Sequence, residues 1–182
     1  MTNDEQKSIP NYLFLDGKPE REQLIRDIAE VKQEVATILG NLPEDEWYTP
    51  RYHGWSPAAM LAHLNMVDAL SLWTIKLALL GFAPTMSQGM LNQMNDMMAK
   101  IFRKRVMQAS LTSMERNQKR VADFVENLPM NRFSRKVFNP ATQTYLTVEQ
   151  AIQTFFLHHW HLHLATIRQV EGIQPPTRTE DG

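Results

Sequence analysis

Apolar residues recur at alternating spacings of three and four along four stretches of the chain, with charged and polar residues between them. This is the pattern of helices that each bury one face. It predicts principal helices near residues 20–41, 56–80, 112–127 and 147–171. Four such helices in one domain are typical of an all-α, four-helix bundle. In the first helix the apolar stripe comprises Leu24, Ile28, Val31, Val35, Ile38 and Leu42.

Residues with strong capping preferences mark where the other three helices begin. Ser56, in front of a proline, is a favourable N-cap, and proline suits the first helical position because its missing N–H is no loss there. Thr112 with Glu115 and Thr147 with Gln150 have the spacing of capping boxes. We therefore expect the last two helices to start at these threonines.

Turn-forming residues divide the rest of the chain. Residues 1–19 contain two prolines and a glycine and predict an arm laid on the surface, followed by the helical domain at 20–172 and a tail at 173–182. A weakly strand-like stretch at 133–146 predicts a short hairpin before the last helix.

The stretch 86–114 holds seven of the eleven methionines. Several of them share a helical face, and we interpret this face as a stripe packed on the core in preference to an adaptable substrate lid. The basic triplet Arg103-Lys104-Arg105 is interpreted as a solvated surface. The methionines on the shared face are Met90, Met94, Met97 and Met98.

Composition narrows the classes of partner. The chain has 182 residues, 19 basic and 20 acidic residues and no cysteine. Near neutrality argues against a nucleic-acid binder, and the absence of cysteine excludes disulfides, thiolate ligands and a cysteine nucleophile. The polar N-terminus and the lack of a long apolar run favour a cytoplasmic protein without a membrane segment, acting on a small molecule.

Four of the six histidines lie between positions 158 and 163. Because a helix turns by about 100° per residue, His159 and His163 share one face and His161 points almost the opposite way. The face of His159 and His163 is otherwise nearly apolar, so two imidazoles are expected to be buried there. A divalent metal bound by both is one way to satisfy their nitrogens.

A third ligand must come from another element. His63 lies on the inward stripe predicted for the second helix, whereas His53 lies in the loop before it. A single histidine on an apolar stripe is more often a hydrogen-bonded core residue than a ligand, so the number and order of the histidines matter. The inward stripe comprises Met60, His63, Leu64, Val67, Leu70, Thr74 and Leu77.

These motifs, in this order, resemble the DinB/YfiT-like superfamily over about residues 20–172. The resemblance is carried by Trp55-Ser56-Pro57, Ala62-His63-Leu64 and His159-x-x-x-His163 with Ile167. It implies a four-helix bundle with a three-histidine divalent-metal site, whose ligands fall on His63, His159 and His163. At Leu162 and at Leu164-Ala165-Thr166 this chain departs from residues that are frequent in the family. The resemblance therefore does not imply that this chain has the substrates of other family members.

Two functions follow from this resemblance. The first is a metal-dependent enzyme, with Zn²⁺ or Ni²⁺ and an open coordination position, that catalyses hydrolysis or transfer to a low-molecular-weight thiol. The second is a non-catalytic binding or stress-response module whose metal, where present, is structural. A nearby acid or base would favour the enzyme; Asp68 is predicted to lie out of reach, and the other candidates are the loop residues Tyr52, His53 and Tyr145.

The last helix is apolar around much of its circumference. Leu157, Trp160 and Leu164 lie off the face of His159 and His163, as does His161. Such a helix is either deeply buried or covered by a partner, and a homodimer through this side is the expectation.

Overall fold

Helices account for most of residues 11–174, which are the part of the chain that this computed structural model describes. Residues 1–10 and 175–182, the outer parts of the predicted arm and tail, lie outside the described residues. The elements in chain order are α1 (Lys18–Gly40), α2 (Pro57–Leu79), α3 (Gln88–Phe102), α4 (Met107–Asn127), a 3₁₀ turn (Met130–Arg132), β1 (Lys136–Asn139), β2 (Thr144–Thr147), α5 (Val148–Gln153), a π turn (Thr154–His158) and α6 (His159–Glu171).

The long helices pack as a bundle, as the apolar periodicity predicted. Helix α4 packs against both α1 and α2, and α6 packs against α1. Helix α2 meets α5 and the π turn more closely than it meets α6. The contact between α2 and α6 is therefore made mainly by side chains.

The predicted helix starts are right in two cases and wrong in one. The Ser56 hydroxyl accepts the Ala59 N–H, and Thr147 and Gln150 form the predicted capping box. Helix α4, however, begins at Met107, so Thr112 is an exposed residue inside the helix. Its first turns bury Met107 and Ser110, and this tertiary packing outweighs the local capping preference.

The predicted hairpin is present. Strands β1 and β2 pair antiparallel, with Phe138 opposite Tyr145, and the two rings make an edge-on contact. The hairpin leads directly into α5, because Thr147 is both the last residue of β2 and the N-cap of the helix.

The interpretation of the face formed by Met90, Met94, Met97 and Met98 as a stripe packed on the core is wrong, although Met107 and Met114 of the same stretch are buried in α4. Helix α3 has no buried residue, and Met90 and Met97 are exposed. It contacts α2 and leaves apolar residues such as Ile101 in solvent. All three residues of the basic triplet at 103–105 are exposed, as predicted.

The buried stripe of α2 coincides with the predicted stripe only in its first two turns. Met60, His63 and Leu64 are buried as predicted, but Leu70 is exposed and Asp68 is buried. Helix α2 is also the one described helix long and apolar enough to cross a membrane, and 67% of its most apolar stretch is buried inside the protein.

The last predicted helix is interrupted by the π turn. In this turn the His159 N–H bonds to the carbonyl of Thr154, five residues back instead of four. The buried face of α6 is centred on Trp160 and Leu164, so His159 and His163 lie at its edge, half-buried. The homodimer was predicted partly because Trp160 and Leu164 would otherwise be exposed, but both are covered by other parts of this chain. These two residues therefore no longer support the homodimer, which stays a prediction.

The described part of the N-terminal arm is bonded to the segment that precedes the histidines. The Gln153 side chain accepts the Leu13 N–H at 2.7 Å and donates to the Leu13 carbonyl at 2.9 Å. The Leu15 N–H donates to Glu149 at 2.6 Å, and the Leu15 side chain is fully buried. The arm therefore braces α5 and the π turn.

Candidate metal centre

Three histidines from two helices meet between α2 and α6. His159 and His163 lie one turn apart on α6, with ring centroids 4.7 Å apart. The ring of His63, on α2, lies 5.7 Å from that of His159 and 5.4 Å from that of His163. One ring nitrogen from each residue falls within 4.8 Å of the other two, a group that could hold a metal ion.

The nitrogens of this cluster are incompletely satisfied by the protein. The Nε2 atoms of His159 and His163 lie 3.1 Å apart, so only one of them can donate to the other. The Nδ1 atoms of His63 and His159 are buried and have no hydrogen-bond partner among the described residues. Unpaired buried polar atoms are costly and usually signal a missing partner.

Burial keeps the imidazoles neutral. Burial, and after it the neighbouring His163, lowers the pKa of His63 to about 4, and burial lowers the pKa of His163 to about 4. Burial also holds the pKa of His159 well below its ordinary value, and the two other histidines add to that effect. Near neutral pH all three rings therefore have a free nitrogen lone pair, which is the state that coordinates a metal.

The donor set is chemically suited to a divalent transition metal. Neutral imidazole is a common ligand for Zn²⁺ and Ni²⁺, and three imidazoles are the protein ligands of one class of catalytic zinc site. Among residues 11–174, no carboxylate oxygen joins the three-histidine group. That His63, His159 and His163 bind a metal remains a prediction, and their geometry, burial and unpaired nitrogens fit it.

The other histidines lie outside the group. His53 is exposed in the loop before α2, where it adopts a left-handed backbone with φ 50°. His161 is exposed on α6, as the helix phase predicted. The ring of His158, in the π turn, makes an edge-on contact with Tyr12 of the arm, with centroids 5.7 Å apart.

The loop before α2 places an aromatic ring against His63. The indole of Trp55 lies 4.8 Å from the His63 ring, centroid to centroid. Tyr52 and Trp55 close this loop by pairing their backbones. The Glu171 carboxylate at the end of α6 anchors it, since it accepts two bonds from Arg51, at 3.0 and 2.8 Å, and one from the Tyr52 hydroxyl at 2.8 Å.

A second polar group is buried on the same helices. Lys32 of α1 donates to Asp68 of α2 at 2.5 Å, and the indole N–H of Trp160 donates to the other Asp68 oxygen at 2.9 Å. The side chains of Lys32 and Asp68 are fully buried. Burial raises the pKa of Asp68, and the Lys32 charge and the two hydrogen bonds oppose that rise.

The sequence analysis did not predict the network of Lys32, Asp68 and Trp160, although the sequence contains a signal for it. Lys32 and Asp68 each lie at an inward position between apolar residues of the same helix face, and two opposite charges at such positions indicate a buried pair. Asp68, which was predicted to lie out of reach of the histidines, has both carboxylate oxygens engaged by Lys32 and Trp160. Tyr52 is likewise engaged by Glu171, and Tyr145 is exposed on the hairpin.

Comparisons with known proteins agree with this architecture. Two solved structures are similar in fold. YfiT from Bacillus subtilis, described as a probable metal-dependent hydrolase with an unusual four-helix bundle topology, aligns with a TM-score of 0.67 at 20% identity, over 90% of this chain and 90% of its own. An uncharacterized protein from Clostridium difficile 630 aligns with a TM-score of 0.68 at 14% identity, over 85% of this chain and 97% of its own.

Sequence comparison places the chain in a family. No curated protein matches it in sequence. The family model of the DinB superfamily matches residues 27–167, a range that includes His63, His159 and His163 and the described helices apart from the start of α1 and the end of α6. Since the match spans most of the chain, this protein belongs to the DinB superfamily.

Proposed function

We propose that this protein is a divalent-metal-dependent enzyme that acts on a small molecule, with His63, His159 and His163 as the ligands. The observation that carries the proposal is that three neutral imidazoles converge and that no fourth side-chain ligand joins them among residues 11–174. Structural zinc sites use four protein ligands, whereas catalytic sites use three and leave a position for water or substrate. A three-ligand group therefore favours catalysis over a purely structural role.

The metal would supply the positive charge that lowers the pKa of a water molecule or a thiol it contacts. Hydrolysis and transfer to a thiol are the two reaction classes that this chemistry serves. Hydrolysis is supported by the description of YfiT as a probable metal-dependent hydrolase. For thiol transfer the thiol would come from a low-molecular-weight cofactor, because the chain has no cysteine.

The residues of this chain hold and shape the site. Trp55 packs against His63 and restricts the orientation of its ring, and Glu171 fixes the loop that carries Trp55. His159 and His163 lie half-buried at the edge of the buried face of α6, and this is the side of the bundle from which a small molecule would approach the site. Asp68, with both oxygens engaged, does not act as a base in this proposal.

The test begins with metal analysis of the chain purified without a histidine tag or added metal. We expect about one equivalent of Zn²⁺ or Ni²⁺ per chain. The metal is then exchanged for Co²⁺, and low-molecular-weight thiols are added while the visible spectrum is recorded. If the site is open and accepts thiols, we expect a thiolate-to-cobalt charge-transfer band to appear. A cobalt spectrum that does not change when thiols are added, together with hydrolysis of an ester or amide, would favour the hydrolase class.

A matched pair of variants provides the control. His163→Ala should abolish the cobalt spectrum and any activity, whereas His161→Ala, which alters an exposed histidine two residues away, should preserve both. If the cobalt site is four-coordinate and responds to no added ligand, the metal is structural and the enzyme proposal fails. The alternative function, a binding or stress-response module with a structural metal between α2 and α6, would then stand.

A further inference from the structure

The π turn between α5 and α6 contains one residue more than a regular α-helix would use for the same turn. Its closing hydrogen bond runs from the His159 N–H to the Thr154 carbonyl, five residues back. Such a turn sets every later residue back by one position around the helix, or by about 100°. The direction of each α6 side chain relative to α5 therefore depends on this turn.

The buried residues of the two helices show this shift. Counted from the buried Ile152 of α5, His159 and His163 lie seven and eleven residues on, which in a regular α-helix is within about 20° of the same direction. In the structure Trp160 and Leu164, one residue further along in each case, take these inward positions and are 0% and 1% exposed. The offset of one residue thus places the histidines at the edge of the buried face.

This edge is where α2 supplies the third histidine. The His63 ring lies 5.7 Å from the ring of His159 and 5.4 Å from that of His163. On a regular α-helix the two α6 histidines would point instead to the position of Trp160, whose ring lies 5.0 Å from the Lys32 ammonium of α1. The π turn therefore directs the histidines toward α2, and the three-histidine group depends on it.

The described part of the N-terminal arm contacts both ends of the π turn. The hydroxyls of Tyr12 and Thr154, the first residue of the turn, lie 2.9 Å apart, within hydrogen-bond distance. The Tyr12 ring makes the edge-on contact with His158, the last residue of the turn. Just before the turn, the buried Gln153 side chain accepts the Leu13 N–H at 2.7 Å and donates to the Leu13 carbonyl at 2.9 Å. These contacts hold the turn in its less common geometry.

We propose that Tyr12 and Gln153 are positioning residues of the metal centre. They bind the arm to the π turn, and the turn sets the rotation of α6 that brings His159 and His163 to His63. Neither Tyr12 nor Gln153 belongs to the three-histidine group, so both act through the turn. The inference rests on the proposed role of the three histidines as metal ligands.

The first experiment is hydrogen exchange of the metal-free full chain. Gln153→Met removes both bonds to Leu13 at similar side-chain length, and Tyr12→Ala removes the ring and the hydroxyl. In both variants the amides at 156–160 should exchange at least about tenfold faster, because one or more hydrogen bonds that oppose local opening are lost. Val125→Ala is the matched control, since it removes buried volume from α4 and leaves the arm and the turn unaltered. It should not speed exchange at 156–160 more than in α1.

The second experiment measures Co²⁺ binding by the same variants. We expect Gln153→Met and Tyr12→Ala to weaken Co²⁺ binding about ten- to 100-fold, the usual effect of losing a residue that orients ligands. Their cobalt absorption bands should also shift, because the histidines reach the ion at altered angles. Tyr12→Phe keeps the ring and should lie between the parent and Tyr12→Ala. Val125→Ala should match the parent in affinity and spectrum, which separates positioning from a general loss of stability.

A deletion tests whether the two residues act through the turn. Deleting Phe155 removes the extra residue, so α5 and α6 become one regular α-helix in which His159 and His163 keep their present directions. This variant should bind Co²⁺ as the parent does, and adding Gln153→Met to it should cost no further affinity. If the deletion variant does not fold, the substitution variants decide the question.

The outcomes separate this inference from the proposed function. If the parent chain binds no Co²⁺, the proposed function fails, and the positioning role fails with it. If the parent binds Co²⁺, this inference alone is overturned by any of three results. These are unchanged exchange at 156–160 in Gln153→Met and Tyr12→Ala, parental Co²⁺ affinity in both, or an equal loss from Gln153→Met in the chain without Phe155.

Discussion

The three-histidine group and the Lys32–Asp68–Trp160 network are two buried polar clusters built on the same helices. Asp68 lies five residues after His63 on α2, and Trp160 is the neighbour of His159 on α6. In the network every strong donor and acceptor has a partner inside the protein, including both oxygens of Asp68. In the histidine group, by contrast, two buried Nδ1 atoms have none among the described residues.

This difference separates a structural role from a binding role. In this buried pair the Lys32 ammonium and both Asp68 oxygens are bonded to groups of the protein itself, so its role is to hold α1, α2 and α6 together. Neutral imidazoles with free nitrogen lone pairs can still bind a partner, such as a metal ion. The convergence of three neutral imidazoles, two of which have an unpaired buried nitrogen, therefore distinguishes the candidate site from the network.

We expect the largest effect from substitutions in the three-histidine group, where metal affinity is measured. Each of the variants His63→Ala, His159→Ala and His163→Ala lacks one of the three ligands. Loss of a residue that only supports a ligand weakens metal binding by up to about 100-fold, so loss of a ligand itself should weaken it by more. His161→Ala should leave the affinity unchanged, because that side chain is exposed and points away. Competition with a chelating dye measures both. If His161→Ala abolishes binding while His159→Ala retains it, the assigned ligand set is wrong.

In the satisfied network, removal of one partner should destabilise the fold itself. Lys32→Met leaves the Asp68 carboxylate buried without its counter-charge and should lower the free energy of unfolding by about 3–5 kcal/mol. The double variant Lys32→Met/Asp68→Leu replaces the pair by apolar groups and should recover part of that loss, since the buried Trp160 N–H then lacks its acceptor. Urea unfolding of metal-free protein measures both. A single variant as stable as the parent would show that the pair is not the structural element proposed.

Metal occupancy should stabilise the bundle because the ligands come from two helices. At a free metal concentration several hundred times the dissociation constant, the gain is about 3–4 kcal/mol. Chelation should therefore lower the melting temperature of the parent chain and of His161→Ala, but not that of His159→Ala. An unchanged melting curve for protein shown to be loaded beforehand would contradict the bridge between α2 and α6.

The smallest effect concerns the buried hydroxyl of Tyr52, another satisfied group. Burial, and then the Glu171 carboxylate, raises its pKa above the ordinary 10.0. Above pH 10 the unfolded chain thus loses this proton before the folded chain does, so stability falls with rising pH, by up to about 1.4 kcal/mol per unit. Tyr52→Phe should remove this part of the alkaline decline in urea unfolding, and Tyr145→Phe, at an exposed site, should not.

The sequence by itself determined the features that depend on neighbouring residues along the chain. The Ser56 cap and the Thr147–Gln150 capping box formed as predicted, because a cap requires only side chains and backbone within one turn. The placement of His159 and His163 together, with His161 opposite, follows from helical geometry alone. The family and the bundle were also readable, since the order of short motifs is a property of the chain.

Only the tertiary structure decided which faces are buried and what meets across the helices. The periodicity of the last predicted helix placed His159 and His163 on its buried face, but packing against α1 centred that face on Trp160 and left the two histidines at its edge. Likewise α4 starts before its predicted cap because Met107 packs in the core, and α3 remains exposed despite its apolar stripe. The spacing of residues along one helix specifies the angles between their side chains around the helix axis. Their burial depends on residues that are distant in sequence. Asp68, for example, contacts Lys32, and His159 contacts His63.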